Sequence, residues 1–361
     1  VSDMTTEVAS GSFDDPLFAG LLESVPPPVT DREAVDLVRR FWGIEGQVEN
    51  LACERDANFH ITSDKGKGYT LKISNPAEKP EFTNFQTEAL RWLERVDPDL
   101  SVPRLVPSRE GRFELDVPLS DGRRSIVRLL TWIEGKQLYR VGMSKGIPAQ
   151  IGRMLARLGR ALRSYDHPGA THAILWDIQN ADRLKPLIRS LPADALRDQL
   201  EEEHYRFTAV TKPKLVRLRR QVIHNDFNHH NILMSPTDPS RIAGVLDFGD
   251  MVNTYLAIDV AVGASYLLPA DGDPLGDLGA MLAAYSAETP LQRAEVELLR
   301  DLIVARLMTT IAITGWRAAR YPQNAAYILR NNGAARSGME RFALLPRETV
   351  TEAFLISAGL E

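Results

Sequence analysis

Asp226 stands two residues after His224 and five before Asn231, and a second carboxylate, Asp247, opens Asp247-Phe248-Gly249 a short distance further on. Apolar runs bracket the first group at Val222-Ile223 and Ile232-Leu233-Met234, and Ile242 to Leu246 leads strand-like into the second. Phosphoryl transfer from a nucleotide needs this kit. One carboxylate orients the attacking hydroxyl, while a carboxamide and a second carboxylate hold magnesium against the phosphates. Either half alone is weak; the ordered pair is specific. Asp226 is therefore the candidate base, and Asn231 and Asp247 are the candidate Mg2+ ligands, since this hard cation prefers oxygen donors. Asn228, two residues after the base, comes within reach of a γ-phosphate. His224 reads chiefly as a structural residue bonding backbone near the metal site, and His229 and His230 as loop-forming, because they match no zinc-ligand pattern.

Charge must also be neutralised at the nucleotide. Lys72 lies between Leu71 and Ile73 at an inward-looking position of an expected strand, where an unpaired ammonium is costly. Its candidate partners are the phosphates and Glu88, at the margin of the apolar stripe of the following helix. The bland alternative is a solvated Glu88 beside a snorkelling Lys72. A phosphate-covering turn is expected between Leu51 and Ile61, where Cys53-Glu54-Arg55-Asp56-Ala57-Asn58 contains no glycine. Neither a Gly-rich loop nor a Walker sequence is present, so backbone amides would cap the phosphates, with Asn58 shaping the turn. Cys53 reads as a small filler. The backbone of Leu130 to Trp132 is where a purine edge could pair, with Trp132 as a wall. Asp250 could receive a cationic substrate or brace the loop, and bracing is the better reading for Asp259. Arg306 is either a buried salt-bridge residue or a receptor for a substrate carboxylate.

The elements that must position these groups change character along the chain. Residues 1–29 form an acidic, polar tail ending near Pro26-Pro27-Pro28, with Val1 to Asp3 ahead of Met4 reading as an added stretch. Thr30-Asp31-Arg32-Glu33 looks like a helix start with a capping box. Residues 30–133 then read mostly as strands, including a hairpin about Asp64 to Gly68 and strands at Arg112 to Val117 and Ser125 to Leu130. One helix interrupts them, from about Glu81 to Val96. Residues 134–361 read as helical apart from the motif hairpin. The expectation is an α+β, protein-kinase-like bilobal fold: an antiparallel β-sheet N-lobe that binds nucleotide and a mostly helical C-lobe for catalysis and substrate.

The composition is that of an ordinary globular protein, 44% hydrophobic and 25% charged over 361 residues. A net charge of -5 carries no polyanion footprint, so nucleic acid is not an expected partner. The greasiest segment, Leu302 to Ile313, is broken by Arg306 and too short to span a bilayer, so no membrane role is expected. The single cysteine excludes an internal disulfide and, with no secretory signal at the start, points to the cytoplasm. Oligomeric state is left open.

With these residues in place, the chain resembles the aminoglycoside phosphotransferase/choline kinase superfamily from about Thr30 onward. The resemblance rests on His224 to Asn231 and Leu246 to Asp250, with support from Lys72, Glu88 and Arg128 to Gly135. Within it, Asp56-Ala57-Asn58-Phe59-His60, His167-Pro168, Trp176-Asp177 and Leu246 to Tyr255 are most similar to hydroxylysine kinase-type small-molecule kinases. That resemblance implies transfer of the γ-phosphate of ATP or GTP to a small hydroxylated amine or amino acid such as 5-hydroxylysine. Aminoglycosides, choline-like alcohols and homoserine are the alternative acceptors, and a catalytically idle nucleotide-binding relative is the alternative of another class. Two positions depart from the wider pattern. Asn225 stands where many relatives carry glycine, and Asn tolerates left-handed backbone. His229-His230 replaces a common Pro-Gly and argues against aminoglycoside specificity.

Overall fold

The computed structural model describes residues 26–53, 55–268, 272–343 and 345–360; the expected tail lies outside them up to residue 25. The chain opens with helix α1 (Asp31–Trp42), whose first turn is capped as its sequence demands: Thr30 Oγ1 accepts from the Glu33 amide at 3.2 Å. Only half of the capping box forms, because the Glu33 carboxylate instead accepts from the amide and hydroxyl of Ser120.

Five strands make an antiparallel sheet in the order β1-β2-β3-β5-β4: β1 (Gly46–Leu51), β2 (Ala57–Ser63), β3 (Gly68–Ile73), β4 (Leu115–Pro118) and β5 (Arg124–Thr131). The expected β2–β3 hairpin turns at Gly66, whose φ of 77° suits glycine. Strand alternation separates two faces. Phe59, Ile61, Leu71, Ile73, Val127 and Leu129 pack with Ala34, Leu37, Val38 and Trp42 of α1 into one core. The opposite face carries a cross-strand row, since Asn58 pairs with Lys72 and Lys72 with Arg128. Helix α2 (Pro80–Val96) turns Phe85, Ala89, Leu90 and Leu93 into the second, larger core instead.

Helices dominate the remainder: α3 (Leu138–Val141), α4 (Ile147–Leu162), α5 (Lys185–Arg189), α6 (Ala195–Arg206), α7 (Lys212–Leu215), α8 (Leu256–Ser265), α9 (Gly276–Glu288), α10 (Arg293–Arg320), α11 (Ala325–Ile328), α12 (Asn332–Ala343) and α13 (Arg347–Ser357). Every residue of α8 is buried, as a helix apolar on all sides must be. The 28-residue α10 is buried from Leu302 to Thr314, and among the described residues no helix is long and apolar enough to cross a membrane. The motif region holds more strand than the single hairpin expected. β6 (Lys136–Gln137), β8 (Ile232–Met234) and β9 (Ile242–Val245) form one small sheet, and β7 (Arg220–Ile223) pairs with β10 (Val252–Tyr255) in another. These short ladders hold both ends of the motif in register.

Candidate active site

The loop from His224 to Asn231 joins β7 to β8 and is fastened from three sides. Asp259, 1% exposed in the first turn of α8, accepts from the amides of Asn225 (2.8 Å) and His224 (3.3 Å). That is the bracing role expected of it. Asn225 has φ 63°, the left-handed conformation its residue type tolerates. His224 is fully buried, and its Nε2 donates to the Leu246 carbonyl at 3.0 Å while Nδ1 accepts from the Asp226 amide. Burial holds the imidazole below its ordinary pKa, in the neutral form these two bonds require. His224 is thus the structural tie between the two halves of the motif.

The candidate base and the first candidate metal ligand touch. Asn231 Nδ2 donates to Asp226 Oδ2 at 2.8 Å and to the Asp226 carbonyl at 2.9 Å. Both bonds use the donor atom and leave Oδ1, the atom a hard cation takes, unspent by them. The Leu246 amide bonds the Asn231 carbonyl at 2.7 Å, so Asn231 and Asp247 sit at adjacent strand ends, as expected. Asp247 is a non-glycine residue at φ 57°, with its side chain half exposed to the cleft. One carboxylate and one carboxamide oxygen suit a magnesium ion that keeps waters and binds phosphates. No group of three His, Cys, Asp or Glu among the described residues forms an all-protein metal cage.

Asn228 both closes the loop and touches the candidate base. It is 6% exposed, and its Oδ1 is spent on the amides of His230 (2.7 Å) and Asn231 (3.2 Å) while its side chain also bonds Asp226. It shapes the loop, because Asx side chains close turns on amides two and three residues on. His230 bonds Asn331 Oδ1 through Nε2 at 2.9 Å, and burial with the neighbouring His230 pushes His229 down to about 4.

Lys72 reaches across the cleft. Its Nζ lies 3.2 Å from Asp247 Oδ1 and 3.6 Å from Asp56 Oδ2. Burial opposes the ammonium, but the carboxylates of Asp247 and Asp56 outweigh it and hold its pKa above the ordinary lysine value. In return, Lys72 holds the Asp247 carboxyl below the usual carboxylate range. Glu88 is not the partner expected; it pairs with Arg91 at 2.7 Å on the outer side of α2. The reason is helical geometry. Gln86 is the residue that looks into the cleft, accepting from Arg128 at 3.0 Å and reaching the Gly249 carbonyl, and two residues on a helix turn the next side chain about 200° away.

Asn58 belongs to β2, not to a turn, and its buried Oδ1 beside Lys72 has no hydrogen-bond partner; neither has His60 Nε2, further along the same face. The Trp132 ring stacks on His60 at 3.8 Å. At the expected purine edge, Leu130 is paired to Thr70 and bridged to Leu105, and the Thr131 and Trp132 amides bond the Arg104 and Gly68 carbonyls. Asp250 lies 4.0 Å from Arg55, its side chain a quarter exposed, and burial together with the nearby Asp226 charge pushes it up to about 7. Arg306 is the salt-bridge residue of the two readings. It is 2% exposed, and its Nη2 lies 2.9 Å from Asp226 Oδ1 and 3.1 Å from the Tyr266 hydroxyl.

Four contributors were missed in the sequence. Asp56, Arg55, Gln86 and Tyr266 enter through folding of distant segments. Asn75 ties the first two together, bonding Asp56 Oδ1 and the Arg55 carbonyl. Only Asp56 carried a signal, as the first residue of the Asp56-Ala57-Asn58 phrase.

Comparison with known proteins identifies the family and the fold. Residues 50–297, more than half of the chain, match the model of the phosphotransferase enzyme family. Hydroxylysine kinase of Danio rerio is 24% identical over 343 residues, covering 92% of this chain and 96% of that one. Hydroxylysine kinase of Mus musculus is 26% identical over 328 residues, covering 85% and 87%. Among solved structures, amicoumacin kinase hAmiN in complex with AMP-PNP, Ca2+ and Ami superposes with a TM-score of 0.64 at 17% identity, covering 90% of this chain and 94% of that one. Nucleotide is the phosphoryl donor that such kinases imply. The chain belongs to the phosphotransferase enzyme family and is a small-molecule kinase of the two-lobed, protein-kinase-like fold.

Proposed function

We propose that this kinase transfers the γ-phosphate of ATP or GTP to the hydroxyl of a small hydroxylated amine or amino acid, with 5-hydroxylysine the first substrate to test. The observation that carries the reading is the bonded set of Asp226 and Asn231 at 2.8 Å facing the Lys72–Asp247 pair at 3.2 Å. In it, Asp226 accepts the hydroxyl proton as the phosphoryl group leaves, and Lys72 gives up part of its contact with Asp247 to the nucleotide phosphates. Asn231 and Asp247 would hold Mg2+, which supplies charge neutralisation at those phosphates. The partnerless Asn58 Oδ1 and His60 Nε2 offer acceptor and donor capacity to a nucleotide lying beneath β2. Residues 30–133 would form its nucleotide-binding lobe and the residues from 134 onward its catalytic lobe.

The acceptor class follows from charge. Asp226, Asp247 and Asp250 gather where the hydroxyl must sit; burial first, and then the neighbouring Asp226 carboxylate, push Asp250 up to about 7, and the second of these is an excess of negative charge. A cation beside the reacting hydroxyl relieves that excess. In 5-hydroxylysine the ammonium carbon adjoins the hydroxyl carbon, and hydroxylysine kinase is what the curated relatives are named. The lone Cys53 fits a cytoplasmic setting. The test is a steady-state screen of hydroxylated amines and amino acids with ATP and with GTP. One amino alcohol preferred about tenfold or more in kcat/KM supports the reading, and equal indifference to all of them defeats it.

A further inference from the structure

We infer that Arg306 is the positioning residue of the reaction: it fixes the carboxylate plane of Asp226 so that one oxygen faces the incoming hydroxyl. Arg306 sits mid-way along α10, eighty residues from Asp226 in sequence, and is 2% exposed. A guanidinium there gives up its hydration, and its compensation is incomplete. Nη2 bonds Asp226 Oδ1 at 2.9 Å and the Tyr266 hydroxyl at 3.1 Å, Nη1 reaches the Trp176 carbonyl at 3.4 Å, and Nε has no partner. The Trp176 ring lies 5.1 Å from the guanidinium carbon, completing a wall that fixes the fork in place. Replacing such a buried pair by apolar side chains commonly costs nothing or stabilises, so the arrangement is poorly explained by stability.

What it does achieve is directional. Arg306 takes Oδ1 of Asp226 and Asn231 takes Oδ2, from helix α10 and from the end of the loop respectively. With the Asn228 side chain also bonding the carboxylate, anchors on both oxygens define its plane and leave one lone pair for the hydroxyl. In a loose phosphoryl-transfer transition state the hydroxyl proton leaves late, so strong basicity gains little and alignment of the attacking oxygen gains much. An arginine bonded to the base trades the first for the second. The inference rests on Asp226 being the base, and the two are tested separately.

The experiment measures kcat, both KM values and MgATP affinity for Arg306→Lys and Arg306→Ala, using 5-hydroxylysine or the acceptor the screen prefers. Arg306→Lys keeps charge and volume but loses the fork; it is expected to lower kcat about tenfold or more while both KM values stay within about threefold. Arg306→Ala is expected to lose about a hundredfold or more, with guanidinium at tens of millimolar restoring part of the rate. Wild-type kcat in Arg306→Lys overturns the inference whether or not the alanine variant folds. A rise confined to the acceptor KM also overturns it, by placing Arg306 on the substrate. If Asp226→Ala itself turns over normally, the assignment of the base falls first; if Asp226→Ala is dead and Arg306→Lys is not, only the positioning role falls.

Discussion

The Nδ2 of Asn231 donates to Asp226 Oδ2 at 2.8 Å, so the residue best placed to hold a metal also holds the residue best placed to orient a hydroxyl. The contact spans five residues of one loop and needs no help from ligand. It makes the two roles separable by substitution. Asp226→Ala removes the acceptor of the hydroxyl proton but leaves the Asn231 bond to the Asp226 carbonyl in place. Positioned bases contribute roughly 10²–10⁴-fold, so kcat is expected to fall by about that factor while MgATP affinity stays near wild type; the melting temperature falls as well, because Arg306 loses its buried anion. Turnover within tenfold of wild type would remove Asp226 from the mechanism.

Asp247 and Lys72 supply a second prediction, about the metal. Excess Mg2+ with nucleotide should raise the melting temperature of the wild-type protein, since a ligand that binds only the folded state stabilises it. Asp247→Asn keeps a neutral oxygen but removes the negative charge of the pair of ligands, and the Mg2+-dependent part of that rise is expected to shrink. Chelation should abolish turnover of the wild type. A variant that responds to Mg2+ as fully as the wild type would show that Asp247 is no ligand.

Glu88 gives a contrasting case in which little should happen. Its carboxylate pairs with Arg91 across one turn of α2, a surface arrangement worth at most about 1 kcal/mol. Glu88→Gln is expected to leave kcat and the nucleotide KM within about twofold, whereas Asp56→Asn, which weakens a neighbour of Lys72 at 3.6 Å, should raise the nucleotide KM. The comparison is a pair of steady-state nucleotide titrations. Equal effects, or a larger one from Glu88, would restore the ion pair that the sequence suggests.

These cases mark what a linear reading can hold. Asp226, Asn231 and Asp247 were legible because their spacing and the strands around them are local, and the strand alternation around Lys72 showed which way it points. Its partner was not legible. Choosing between Glu88 and Asp56 depends on the rotation of α2 about its axis and on Asn75 folding the Arg55-Asp56 backbone inward, neither of which leaves a periodic trace. Arg306 was readable as a buried cation from its apolar helix, but the identity of its anion depends on how α10 packs against a loop eighty residues away.

Asp177 yields a prediction in pH. It is 1% exposed, accepts from the Gln179 amide at 3.1 Å and from Thr254 Oγ1 at 3.2 Å, and also bonds the Gln179 side chain. Burial is the dominant influence and pushes it up to about 6 from 3.8. A raised acid favours the folded state while protonated. Its contribution is therefore fully present below about pH 4 and is lost as pH rises through about 6. Between pH 5 and pH 8 the folded protein should lose roughly 1–1.5 kcal/mol from this group alone. Asp177→Asn keeps an oxygen for the two acceptor bonds and cannot ionise. In urea unfolding, the stability of the variant relative to wild type should rise by about that amount from pH 5 to pH 8; a constant difference would mean Asp177 does not titrate there.

Asn225 tests the loop itself. Its φ of 63° costs a β-branched residue heavily and glycine nothing, while its amide is one of two held by Asp259. Its own side-chain atoms are buried without hydrogen-bond partners, so deleting them removes a desolvation cost. Asn225→Gly should therefore be at least as stable as wild type and keep its activity, the gain offset in part by the greater freedom of glycine in the unfolded chain. Asn225→Val demands the same backbone from a side chain that resists it. The strain should either destabilise the protein by about 1–3 kcal/mol or move the amide off Asp259 and displace Asp226 with it. The discriminating measurement is kcat beside thermal unfolding for both variants. If valine is tolerated in both, the left-handed turn is not what holds Asp226 in place, and the Asp259 brace must suffice alone.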